Sequence, residues 1–125
     1  MPLTTINLIS DPQTGKSLVA LGAAKEFIRR YGPTQCAIIF PNSHTADWSA
    51  KKNQLPRDVL FSAGRSDHDL EEFLIGKMFV VCEDVLHWPL AKFDFFLAAL
   101  ARRQENIPET VPRTLIITRT FSRYG

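Results

Sequence analysis

The sequence is short of several things, and each shortage excludes something. Among 125 residues there are only two cysteines, Cys36 and Cys82, both inside apolar runs. That count builds no disulfide framework, so the pair is expected as reduced core thiols of a cytoplasmic protein. The three histidines, His44, His68 and His87, are scattered, with no Cys-x-x-Cys or His-x-x-x-His spacing, so no zinc site is expected. No apolar run reaches the ~20 residues that cross a bilayer. The start, Met1-Pro2-Leu3-Thr4-Thr5, lacks the basic flank and cleavage site of a secretory leader. A large charge excess is missing too: the formal net charge is +2, so bulk charge announces no nucleic-acid partner. No repeat, low-complexity tract or linker interrupts the chain.

What remains suits one globular domain spanning residues 1–125. The hydrophobic fraction is 45%, enough for a packed core. Short apolar runs alternate with helical patterns. Thr5–Ile9, Cys36–Phe40, Met78–Cys82 and Leu115–Thr118 read as buried strands, with a shorter one over Asp58–Phe61. Ser17–Arg30 reads as a helix with Leu18, Leu21, Ala24 and Ile28 on its apolar face, stopped by Gly32-Pro33. Asp69–Ile75 reads as a short helix capped by Ser66 or Asp67, and Leu90–Gln104 as a strong amphipathic helix. Residues 41–57 are polar without clear periodicity and are expected as a long loop. Strands alternating with helices imply an α/β fold with a largely parallel sheet.

The junction between the first strand and the first helix is Ser10-Asp11-Pro12-Gln13-Thr14-Gly15-Lys16-Ser17-Leu18. A phosphate-binding loop needs that position, because a helix N-terminus offers unpaired N–H groups and a partial positive charge. Gly15 would let the backbone approach phosphates, Lys16 would reach the β- and γ-phosphates, and the Ser17 hydroxyl would ligate magnesium. The usual loop opens with a glycine where this chain has Ser10, which removes backbone freedom but no ligand. The competing reading is an ordinary strand-to-helix turn.

A second element supports the first. Phosphoryl transfer needs a carboxylate beside the metal and a group that orients the attacking water. The strand over 78–82 runs straight into Glu83-Asp84, at the edge of a parallel sheet where ligands bind. By register Glu83 takes the metal-side place and Asp84 the water-orienting place. The competing reading is a cap after a core strand.

The stretch from Asp11 to Leu18 resembles the Asp-Pro-Gly-Thr-Gly-Lys-Ser loop of RecA-like P-loop ATPases. Glu83-Asp84 looks like the Walker B element of that class, in inverted order, and Leu115–Arg119 looks like its sensor strand. The helix over Phe93–Arg103 is similar in placement to one in the FtsK–HerA DNA-pumping ATPases and Zot-like phage assembly ATPases. In those families the sensor strand often ends in Thr-Gln, whereas here it ends in Thr118-Arg119. The resemblance implies a three-layer P-loop NTPase-like sandwich with a mostly parallel central sheet of about five strands. It implies ATP and Mg²⁺ as ligands, hydrolysis of ATP, and coupling to nucleic-acid movement or packaging in a virus or mobile element, in the host cytoplasm if viral. It further implies a homo-oligomer, with Arg119 or Arg123 approaching a γ-phosphate as an arginine finger, within the chain or from a neighbouring subunit.

Two other functions fit the same residues. A nucleotide or nucleoside kinase would need an acceptor pocket and a basic lid, neither of which the sequence identifies. A non-hydrolysing module that binds nucleotide, or only a partner, is favoured by Ser10 and the inverted carboxylates. Arg102, Arg103 and Arg113 are expected as solvated positions, as is Lys51-Lys52, with nucleic-acid phosphates as the alternative partner. Trp48 is expected as a loop anchor against the core and Trp88 as packing.

Overall fold

A computed structural model describes residues 3–10, 16–104 and 113–120. The chain runs β1 (Leu3–Ser10), α1 (Lys16–Tyr31), β2 (Cys36–Phe40), α2 (Ser43–Asn53), β3 (Leu60–Ser62), α3 (Asp67–Phe73), β4 (Phe79–Cys82), α4 (Lys92–Gln104) and β5 (Arg113–Thr120). These strands form one five-stranded sheet in the order β1-β5-β4-β2-β3, with every neighbouring pair parallel. The fold is a three-layer α/β sandwich, as the alternation of strands and helices predicts.

The strand order explains the layers. The chain moves outward from β1 to β2 to β3, then returns through β4 to β5. Parallel crossovers are right-handed, so helices on the outward legs share one face and those on the return legs share the other. Two core clusters follow. Leu21, Ala24 and Ala46 of α1 and α2 pack on Ile38, Val81 and Ile116. Leu70 of α3 with Phe96 and Leu100 of α4 packs on Ile39, Val80 and Ile117. Successive strand residues alternate between the two clusters, as a pleated strand requires. Cys36 and Cys82 are free and buried, and they belong to opposite clusters, so no disulfide can join them.

Local chemistry sets the element ends. Gly32 takes φ 85° and donates to the Ile28 carbonyl at 2.8 Å, closing α1 where Gly32-Pro33 was expected to stop it. Ser66 caps α3 by accepting from the Asp69 amide at 3.1 Å, and the helix runs two residues earlier than the periodicity predicts, over Asp67–Phe73. The expected short strand over Asp58–Phe61 lies at Leu60–Ser62, after a single 3₁₀ turn at Arg57–Val59.

Residues 41–57 depart from expectation most. They hold α2 rather than a long loop. The Asn42 side chain accepts from the Thr45 amide at 2.9 Å, which starts the helix, and Gln54 in a left-handed conformation ends it. Ala46 is the one residue of α2 that is fully buried, so the helix carries almost no apolar face for periodicity to reveal. Trp48 is 59% exposed on this helix, with the Lys52 ammonium 4.6 Å from its ring centre, so it is not the core anchor expected. Arg113 is the opposite case: it is buried at the start of β5, not solvated.

Among the described residues no helix is long and apolar enough to cross a membrane. The first strand is an edge of the sheet, and Thr4, Thr5, Ile6 and Asn7 are exposed along it.

Candidate functional site

The carboxyl edge of the sheet gathers the candidate residues. Strand β1 ends there at Ser10, and α1 begins at Lys16 on the face shared with α2. The register sets Leu8 beside Thr118 and Ser10 beside Thr120, so β5 reaches as far along this edge as β1. Strand β4 lies on the far side of β5, with Cys82 level with Ile117. Backbone alone is described for Ser10, Lys16, Ser17 and Leu18. Asp11, Pro12, Gln13, Thr14 and Gly15 lie outside the described residues, and so does Arg123.

Glu83 prolongs β4 by one residue, since its amide donates to the Ile39 carbonyl at 2.8 Å. The pleat then turns its side chain to the face that carries Phe79 and Val81, which is the α1 face. Thr118 follows the same logic from Ile116 and meets it there. Its hydroxyl donates to Glu83 Oε2 at 3.1 Å and accepts from the Asp84 amide at 2.8 Å. Glu83 is 5% exposed and Thr118 is fully buried. One hydroxyl therefore ties the ends of β4 and β5 together and orients both carboxylate-bearing residues.

Asp84 leaves the strand sharply. It takes φ 55° and ψ 53°, a left-handed conformation that Asp adopts more readily than most residues. A single 3₁₀ turn follows over Val85–His87. It is held by the His87 amide on the Asp84 carbonyl at 3.0 Å and by Trp88 Nε1 on the Glu83 carbonyl at 2.8 Å. His87 Nδ1 lies 2.9 Å from Asp84 Oδ2. Asp84 Oδ1 is buried and has no hydrogen-bond partner among the described residues. Burial, followed by the charge of Glu83, pushes the neighbouring Cys82 thiol well up, so it stays protonated.

Arg119 stands apart from this group. Alternation along β5 sends it to the α4 face, where its guanidinium sits 5.8 Å from the Phe93 ring centre. With Trp88, Leu90 and Asp94 it lines a cleft of about 270 Å³ behind the carboxylates. The structure thus brings Glu83, Asp84 and Thr118 together and places Arg119 on the other side of the sheet. Trp88 packs in the core as expected, whereas its bond to the Glu83 carbonyl and the place of His87 beside Asp84 were not expected. The signal was present in the spacing, because one tight turn after Glu83-Asp84 returns residues 87 and 88 to the strand end.

Among the described residues no group of three or more His, Cys, Asp or Glu could hold a metal ion by itself. No protein-family model matches the chain, and no curated protein matches it.

Proposed function

We propose that the chain is a P-loop NTPase of the RecA-like type that binds ATP with magnesium at this edge and hydrolyses it. The observation that carries the reading is the convergence on one edge of a strand-to-helix junction ending in Gly15-Lys16-Ser17 and a paired carboxylate set oriented by Thr118. The strand order adds support. The connection after β1 leaves by one face and that after β4 by the other, which opens a crevice at the carboxyl ends where ligands of such sheets bind.

The donor set suits magnesium in the way nucleotide sites use it. Magnesium keeps several waters and takes one or two carboxylates plus substrate phosphates, so it needs no protein cage. Glu83 and the Ser17 hydroxyl would hold it, and it would supply charge neutralisation at the β- and γ-phosphates. The first turn of α1 and Lys16 would hold the phosphates. The Asp84 carboxylate would accept a proton from the attacking water as the water oxygen bonds to the γ-phosphorus. The bond to the bridging oxygen breaks, its electron pair leaves with ADP, and the proton passes to solvent. Thr118 holds the Asp84 backbone still while this happens.

The reading extends to a homo-oligomer that moves or packages nucleic acid. The exposed edge of β1 supports assembly, and because Arg119 faces away from Glu83 in its own chain, a finger role for Arg119 belongs to a neighbouring copy. Arg123 is the other candidate. Titration of the protein with ATP, with and without magnesium, tests the binding claim. The parent should bind and Lys16→Ala should lose most of its affinity while keeping its fold. Equal affinity in the two proteins would make residues 10–17 a structural turn.

A further inference from the structure

We infer that the outer face of α2 is a contact surface for single-stranded nucleic acid, with Trp48 stacking on a base and Lys51 and Lys52 holding its phosphates. The inference names a surface and a partner form for the nucleic-acid part of the function proposed above, and it does not depend on hydrolysis. It starts from how little α2 gives to the core. Ala46 is its one buried residue, and the Asn42 cap rather than an apolar stripe starts the helix. Packing therefore does not explain what the helix turns outward. His44, Trp48, Lys51 and Lys52 are all exposed. Their i, i+4, i+7 and i+8 spacing puts them on one stripe of the helix. The helix begins just past the carboxyl end of β2, so the stripe starts near the edge proposed for the nucleotide and runs back along the α1 face.

The stripe combines the two parts that a single strand needs. The first is a stacking platform: the Trp48 side chain is 59% exposed, a large apolar ring left to solvent. The second is positive charge beside it. The Lys52 ammonium stands 4.6 Å from the ring centre, and at an exposed site that contact is weak enough for a base to share the ring. Among the described residues neither Lys51 nor Lys52 pairs with a carboxylate. The acid next to the stripe, Asp47, is 3.9 Å from the Arg57 guanidinium, which offsets its charge. Free lysines track phosphates, and an open ring takes bases of any sequence. A duplex keeps its bases inside the stack and offers that ring nothing, so the single strand is the form the surface fits.

The test titrates the protein without nucleotide against a labelled oligothymidylate of about 12 nucleotides and against a duplex of the same length, at several salt concentrations. Trp88 is buried, so quenching of tryptophan emission reports Trp48. The parent should bind the single strand with quenching, and more tightly than the duplex. By anisotropy of the label, Trp48→Ala should weaken binding about 10-fold or more, and Trp48→Phe, which keeps a ring, should recover most of it without any change in emission. Replacing Lys51 and Lys52 together by Ala should reduce the slope of log affinity against log salt by about 1.4, the loss of two phosphate contacts on a single strand. All these side chains are exposed, so the variants should unfold at the parent's denaturant midpoint and bind ATP as the parent does. A parent that does not bind the oligothymidylate, an unquenched Trp48, tighter binding to the duplex, or an unchanged salt slope would each overturn the inference. A parent that binds the single strand as described but not ATP would uphold it and refute the nucleotide site instead.

Discussion

The Thr118 hydroxyl decides the geometry at the scale of single residues, because it serves two groups at once. Removing it in Thr118→Val keeps the volume but strands the Asp84 amide and takes one hydrogen bond from Glu83 Oε2. The expected cost is about 1–3 kcal/mol in denaturant unfolding, the penalty for a buried polar group left without a partner. A variant as stable as the parent would mean the hydroxyl is replaced by water. The two carboxylates should separate cleanly in function. Glu83→Gln is expected to weaken the magnesium dependence of ATP binding. Asp84→Asn is expected to keep binding and lose turnover, because it alters a group that acts mainly in the transition state. The cysteines should be silent. Burial pushes the Cys36 thiol up to about 12, with Lys77 opposing the shift, and Cys82 is raised as well. A thiol reagent at neutral pH should find neither in the native protein and both after unfolding. Rapid native labelling would show the core opening locally.

At the scale of elements, α4 should carry more stability than α2. Phe96 is fully buried and stacks on Phe93 with ring centres 5.9 Å apart, so Phe96→Ala should cost about 3–5 kcal/mol. Asn42→Ala, which removes only the cap of α2, should cost about 1 kcal/mol. The same contrast explains what the sequence made legible. Strand β2 is buried at every position and α4 has a broad apolar stripe, so both announce themselves. Helix α2 rests on Ala46 and a capping asparagine, signals too small for periodicity to register, and it reads as a loop. The carboxylate pair was legible because an apolar run ended in two acids. Its support by Thr118 was not, because the bond joins residues 35 positions apart and depends on which strands are neighbours.

At the scale of the molecule, strand order converts a linear pattern into a site. Placing β5 between β1 and β4 brings Thr118 against Glu83, and the reversal of chain direction after β3 sends α4 to the face opposite α1. It also sends Arg119 away from the carboxylates by simple alternation. Among the described residues Arg119 therefore does not reach the crevice of its own chain, and the proposed assembly would present it to a neighbour's. The reaction proposed for this edge is hydrolysis of ATP. Magnesium-dependent phosphate release from ATP, compared between the parent and Asp84→Asn at saturating nucleotide, tests it most directly. The parent should release phosphate steadily, and Asp84→Asn should lose release almost completely despite unchanged binding. Equal release from both proteins, or none from a parent that binds ATP, would contradict it.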